Sequence, residues 1–165
     1  MRGFGIMVAF LSALALLVGG TKAEAAEKDV GKIPSCQYCG MDRGKFGSTR
    51  MLVEYANGTT IGTCSIHCAA VDLAQSFGKE IKALSVADYL SGKLIDAEKA
   101  VWVIGAGLPG VMAAKSRVAF ADQARAESFR KEKGGETADF DAAITSTYCD
   151  MWPDTQAIRS RRTKH

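Results

Sequence analysis

The chain has 165 residues, of which 24% are charged, with a formal net charge of +3. The positive excess is carried by a basic C-terminal end, so the rest of the chain is close to neutral and a nucleic-acid partner is not indicated. The five cysteines are an odd number, so pairing into disulfides cannot use every thiol.

Residues 1–25 are predicted to be a secretory signal peptide. Arg2 provides a short positive region, residues 6–18 form an apolar run too short to span a bilayer comfortably, and Ala23-Glu24-Ala25 fits a cleavage site. We expect cleavage after Ala25 and no membrane span in the mature chain; the alternative is an uncleaved N-terminal anchor. Residues 26–33 are then a linker.

The first soft-ligand cluster follows this linker. Cys36, Cys39 and Met41 lie within six residues, and Pro34 with several nearby glycines predicts a loop over residues 34–48. Such a loop can bend around a ligand, and it offers little core for a gap-filling methionine.

A strand pair and a helix come next. Residues 51–55 and 59–64 are predicted strands joined by Asn57-Gly58, and apolar spacing predicts a helix that begins after Ser65 and continues to Gly78. Cys64 would end a strand, with His67 and Cys68 in the first helical turn. The amide groups and dipole of a helix start favour thiolate.

The second half repeats the pattern. Residues 100–104 and 117–120 are predicted strands, residues 121–133 a helix, and residues 85–90 a short helix capped by Ser85. We therefore predict an α+β fold of two similar strand-strand-helix units, about 34–84 and 85–141, in one compact domain. Residues 142–165 are predicted to be a basic, poorly ordered tail.

Ligand chemistry indicates which metal the cluster would bind. Thiolate together with thioether favours Cu(I), whereas zinc rarely accepts methionine and iron–sulfur clusters usually need four cysteines. Cys36, Cys39 and Met41 are the primary candidates. Cys64, His67 and Cys68 are possible additional ligands, although Cys68 also suits a buried helix face and His67 a solvent-facing position. Cys149 is more simply explained as an incidental tail thiol.

Two other classes of protein stay open on the sequence. Cys36, Cys39, Cys64 and Cys68 have spacing suited to a structural zinc site, which would make folding depend on metal. The Cys36-x-x-Cys39 pair would also suit a thiol–disulfide protein, but such pairs normally open a helix after a strand, and here Pro34 precedes and Gly40 follows.

Several segments in order carry a family resemblance. They are residues 36–42, Gly62-Thr63-Cys64-Ser65, residues 88–97 leading into 100–105, and residues 118–122 ahead of Phe129 and Gly134-Gly135. Together they resemble the NosL family, accessory proteins in nitrous oxide reductase maturation, over about residues 34–141.

The resemblance implies a periplasmic Cu(I) chaperone, not an enzyme, that delivers copper to a recipient enzyme or its assembly machinery. It suggests Cys39 or Cys36, Met41 and Met112 as ligands, with Cys39 as the anchoring thiolate and the methionines as exchangeable thioethers. Many members are lipoproteins, but this sequence has no lipid-accepting cysteine, and it is richer in sulfur than a single low-coordinate site needs. Copper for a different enzyme is therefore an open alternative.

Overall fold

The computed structural model describes residues 28–162, which form two antiparallel sheets and three main helices. The strands are β1 Met51–Tyr55, β2 Thr60–Thr63, β3 Ile81–Ala87, β4 Leu94–Asp96, β5 Val101–Ile104, β6 Arg117–Phe120 and β7 Glu136–Ala138. The helices are α1 Ile66–Gln75, α2 Gln123–Lys133 and α3 Phe140–Arg162. The predicted α+β fold is confirmed, whereas the predicted signal peptide lies outside the described residues.

The first sheet has the order β2-β1-β3-β4. Its β1–β2 hairpin was predicted from Asn57-Gly58, and Gly58 adopts the positive φ of 86° that such a turn requires. The side chains of Met51, Val53 and Tyr55 alternate into the core because successive residues of a strand face opposite sides. This hairpin places Cys64 at the end of β2, where α1 begins.

The predicted helix at residues 85–90 is wrong. Ser85 lies inside β3 and pairs with Leu52 of β1 and Asp96 of β4. Leu84 and Val86 are buried on either side of the half-buried Ser85, which is the period of a strand. Pairing on both edges outweighs the capping preference of an isolated serine, and the proposed unit boundary at residue 84 lies within this strand.

The second sheet has the order β6-β5-β7, and α2 packs on it. Asp122 caps α2 by accepting a hydrogen bond from the Arg125 amide at 2.9 Å. Tyr89, Phe120 and Phe129 form an aromatic cluster between β6 and α2, with ring centroids 5.0 to 5.9 Å apart. This cluster fills the core of the second unit.

The prediction that residues 142–165 form a poorly ordered tail is wrong for residues 142–162, because α3 continues to Arg162. Asp139 accepts a hydrogen bond from the Ala142 amide at 2.8 Å and so caps the helix. The buried positions are Phe140, Ala143, Thr147 and Asp154. Two of these four are polar, so the buried face has no hydrophobic period that the sequence could reveal.

One continuous core joins both units. Met51, Val86, Trp102, Ala119 and Phe140 belong to the same cluster of buried side chains, so both sheets and α3 pack on each other. No helix within residues 28–162 has both the length and the apolar character needed to cross a bilayer.

Candidate metal centre

A tight loop presents the first two cysteines. The Cys36 amide donates to the Met41 carbonyl at 2.8 Å, and the Gly40 amide donates to the Cys36 carbonyl at 2.9 Å. Gly40 has a φ of 73°, a conformation that a residue with a side chain rarely adopts. These bonds fold residues 36–41 into a turn that brings Cys36, Cys39 and Met41 to one cluster.

The second pair of cysteines comes from the junction of β2 and α1, as predicted. Cys64 follows the last residue of β2, and Cys68 lies in the first turn of α1. Ser65 occupies the N-cap position with extended backbone, but its hydroxyl makes no capping bond. Instead, the Ser65 hydroxyl donates to the Val111 carbonyl at 3.0 Å, which ties this junction to the second unit.

Four sulfur atoms meet at this point. The Sγ atoms of Cys36, Cys39, Cys64 and Cys68 all lie within 4.8 Å of one another. The separation is 3.5 Å between Cys39 and Cys64 and 3.8 Å between Cys64 and Cys68. A tetrahedral site with metal–sulfur bonds of about 2.3 Å would place its sulfurs about 3.8 Å apart, so the spacing fits a bound metal ion.

Two thioethers accompany the thiols. The Sδ atom of Met41 lies 4.0 Å from Cys64 Sγ. Met112, which follows β5 in the connection to β6, packs against the same cluster together with Val111. The structure therefore brings six of the seven predicted ligand residues together, although they come from both units.

His67 is the exception. Its side chain is buried, and its Nδ1 atom lies 4.0 Å from Asp154 Oδ2 of α3, which is too long for a hydrogen bond. Neither atom has a hydrogen-bond partner. Burial lowers the pKa of His67 more than the neighbouring Asp154 raises it, so the imidazole is held neutral.

The thiols are polarised against one another. Hydrogen bonds from the Cys64 and Cys68 thiols lower the pKa of Cys36, whereas the same bonds, together with burial, raise the pKa of Cys64 and of Cys68. These directions favour the thiolate form at Cys36 and the protonated form at Cys64 and Cys68. A metal cation that replaced these thiol protons would stabilise further thiolates.

A buried ion pair that no local sequence pattern predicts supports the loop. Arg43 and Arg50 are fully buried, and both guanidinium groups bind the carboxylate of Asp29, at 2.9 and 2.8 Å. Arg43 also donates to the carbonyls of Thr63 and Ile33 at 3.1 and 2.6 Å. Arginine is usually exposed, so composition alone would place these residues on the surface.

A cavity of about 240 Å³ opens beside the thioethers. Its lining includes Met41 and Met112 on one side and Asp154, Ile158 and Arg161 of α3 on the other. The thioether side of the cluster therefore faces space, while Cys36, Cys64 and Cys68 are buried. A second ligand could approach from this side.

Cys149 stands apart from the cluster. It is exposed on α3 and is not a member of the four-cysteine group. The interpretation of Cys149 as a thiol outside the site agrees with this position.

Comparison with known proteins supports the same fold. The copper chaperone NosL from Shewanella denitrificans, known from a crystal structure, superposes with a TM-score of 0.53 at 21% sequence identity. The match covers 65% of this chain and 87% of that protein. No curated protein sequence matches the chain significantly.

A family model also matches the chain, and it covers more of the chain than the structural match does. The NosL model matches residues 27–149, a range that contains both sheets and the four clustered cysteines. This range includes the whole segment, about residues 34–141, in which the sequence resembles the family. The chain therefore belongs to the NosL family.

Proposed function

We propose that this protein is an exported metallochaperone that binds Cu(I) and passes it to a copper enzyme. The observation that carries the proposal is the convergence of four cysteine sulfurs within 4.8 Å of one another, with the thioether of Met41 at 4.0 Å and Met112 packed alongside. Thiolate with thioether is the ligand combination that suits Cu(I). The structural neighbour from Shewanella denitrificans, itself a copper chaperone, supports the same cargo.

Transfer rather than catalysis suits this geometry. Three of the four thiols are buried and would retain the ion, whereas Met41 and Met112 line a cavity that an incoming ligand can enter. Weak thioether ligands on that side can be replaced one at a time while the thiolates still hold the copper. Family membership favours Cys39 as the anchoring thiolate, and its Sγ lies 3.5 Å from Cys64 Sγ; we assign no catalytic residue.

Nitrous oxide reductase is the recipient that family membership favours, and the periplasm is the proposed location. The leader that would direct export lies before the described residues. A transfer assay tests the recipient: copper-loaded protein is mixed with copper-free nitrous oxide reductase and with an unrelated copper-free periplasmic enzyme. Transfer of copper to the unrelated enzyme but not to nitrous oxide reductase would refute this choice of recipient.

A structural zinc site is the second candidate, and the same four cysteines favour it. Their sulfur spacing also suits zinc bound by four thiolates. The main core, however, is built around Trp102 and the two sheets without any of these cysteines. We therefore expect the apo protein to be folded, whereas a structural zinc site predicts folding that depends on the metal.

The thiol–disulfide alternative has less support. Cys36 is buried, and the turn after Cys39 does not begin a helix. A redox pair of this type normally lies at a helix start with its reactive thiol exposed. The loop lacks that context.

An anaerobic titration tests the proposed function. Reduced protein competes with a Cu(I) chelator, and circular dichroism follows the fold with and without Zn(II). We expect tight binding of Cu(I) to an already folded apo protein. We also expect Cys39→Ser to weaken binding by at least about a hundredfold, which corresponds to roughly 2.8 kcal/mol.

Cys149→Ser is the matched control, since it removes a thiol outside the cluster and should leave the affinity unchanged. Equal Cu(I) affinity of Cys39→Ser and the wild type would refute the copper site. Folding that occurs only with zinc would support the zinc candidate instead.

A further inference from the structure

Met112 has an unusual backbone conformation. Its φ is 59°, and within residues 28–162 it is the one non-glycine residue with a positive φ. In this left-handed region the Cβ atom crowds the following carbonyl, so a non-glycine residue stays there only when its surroundings hold it.

Two hydrogen bonds flank the residue, one on each side. The Val111 carbonyl accepts from the Ser65 hydroxyl at 3.0 Å, and the Ala114 amide donates to Asp154 Oδ1 at 2.8 Å. Ser65 is the residue after Cys64, and Asp154 belongs to α3. The segment that carries Met112 is thus fixed at one end to the cysteine junction and at the other to the C-terminal helix.

The Asp154 carboxylate is poorly explained by stability alone. Its side chain is only 4% exposed, and its second oxygen, Oδ2, has no hydrogen-bond partner. Removing a carboxylate from water is unfavourable unless it is well paired. A group retained in such a position is typical of a site with a role beyond folding.

The nearby Asp150 provides a contrast on the same helix. It pairs with the side chains of Lys115 and Arg117, at 3.1 and 2.6 Å, and is 23% exposed. Asp150 therefore contacts side chains of the neighbouring segment, whereas Asp154 binds its backbone two residues after Met112. Asp154 also lines the cavity beside Met41 and Met112.

We propose that Asp154 is a positioning residue that, through the Ala114 amide and together with Ser65 on the opposite side, holds the Met112 thioether against the cysteine cluster. The inference rests on the proposed function in that Met112 would be a copper ligand. Its first test nevertheless needs no copper. If it is correct, α3 contributes to metal affinity without touching the metal.

The first experiment observes Met112 directly in the reduced, metal-free protein. The chain is labelled with ¹³C-methyl methionine, and Met112→Ala assigns the signal. We expect Asp154→Ala to shift the Met112 methyl resonance. In Asp154→Asn the resonance should stay at the wild-type position, because an amide oxygen also accepts from the Ala114 amide. The control Asp150→Ala should leave the resonance unchanged. An unchanged resonance in Asp154→Ala would overturn the proposal.

Ser65→Ala is a second variant that keeps the test decisive if Asp154→Ala does not fold. It removes the opposite hydrogen bond and should shift the same resonance. If Ser65→Ala folds and the Met112 resonance stays at its wild-type position, the proposed two-sided support is refuted.

The second experiment is a double-mutant cycle on Cu(I) affinity. We expect Asp154→Ala to weaken binding about tenfold in the wild-type background and to have no effect in Met112→Ala, because its action passes through Met112. An equal loss in both backgrounds would show that Asp154 acts elsewhere, for example through His67. If the wild type itself bound no Cu(I), the proposed function would be refuted. The methyl resonance of the metal-free protein would still test the positioning role of Asp154.

Discussion

The hydroxyl of Tyr38 donates a hydrogen bond to Asp72 Oδ1 at 2.5 Å, which joins the loop between Cys36 and Cys39 to helix α1. The other carboxylate oxygen accepts from Tyr55 of β1 at 2.6 Å. Burial first, and then the bond to Asp72, raise the pKa of Tyr38. The buried Asp72 thus connects the cysteine loop, the first strand and the helix that carries Cys68.

We expect Tyr38→Phe to lower the free energy of unfolding by about 1–3 kcal/mol, since a hydrogen bond to a charged group is lost. Urea unfolding of the reduced apo protein measures the change. Tyr148→Phe is the control, because its hydroxyl bonds a neutral carbonyl at 3.1 Å and its side chain is partly exposed. An equal loss in both variants would contradict a special role for Asp72.

Removing the buried guanidinium at Arg43 should be among the most damaging single changes to the loop. Arg43→Ala leaves Asp29 with Arg50 alone and removes the donor to the carbonyls of Thr63, Ile33 and Met51. We therefore expect a loss of about 3–5 kcal/mol in the free energy of unfolding. Arg125→Ala breaks an exposed ion pair with Asp122 and should cost less than about 1 kcal/mol. Thermal unfolding followed by circular dichroism compares the two; a similar shift in both would refute the structural role of Arg43.

Copper should protect the clustered thiols from alkylation and leave Cys149 reactive. Cys149 is exposed, whereas the other cysteines would be coordinated in the loaded protein. Treatment with iodoacetamide followed by peptide mass spectrometry should find label on Cys149 alone, and removal of copper by a chelator should make Cys39 reactive next. Rapid labelling of Cys39 in the loaded protein would contradict its assignment as a ligand.

Acid should destabilise the fold partly through Asp88. Burial raises the pKa of the Asp88 carboxyl, but hydrogen bonds from Ser91 and from the Ala121 amide outweigh it and leave the pKa below its ordinary value. A lowered pKa in the folded state means that the unfolded chain takes up the proton first as the pH falls. The stabilisation is therefore present above about pH 4 and is lost below it.

Asp88→Asn should accordingly remove part of the acid dependence. We expect the variant to be less stable than the wild type at pH 7 by about 1–3 kcal/mol, with the difference narrowing below pH 4. Urea unfolding at pH 7, 5 and 3.5 measures this difference. A gap that stayed constant across the three pH values would refute the contribution of Asp88.

The first unit was largely predictable because its signals are local. Asn57-Gly58 fixes the hairpin, Ser65 marks the helix start, and the Cys-x-x-Cys loop is defined by its glycines. The junction that holds Cys64 and Cys68 follows from these elements alone. This is why the cysteine half of the candidate site could be anticipated residue by residue.

Other features depend on contacts between distant parts of the chain. Ser85 has a capping preference that two neighbouring strands override, and α3 buries Thr147 and Asp154 on a face without hydrophobic spacing. His67 was predicted as a possible ligand or a solvent-facing residue, yet it faces Asp154, which lies 87 positions later in the printed sequence. No local pattern reports such pairings.

The core that runs from β1 through Trp102 to Phe140 has a consequence for how the molecule opens. The second unit adds its own cluster around Phe120 and Phe129, but losing either unit still exposes the shared core, so both should unfold in a single cooperative transition. Amide hydrogens in β1 and β5 should then exchange at the same slow rate set by global unfolding. In a partly open state, Met112 could move away from the cysteine cluster while the cluster stays intact. We expect such a state to form by movement of the segment between β5 and β6, without unfolding of the sheet that contains these strands.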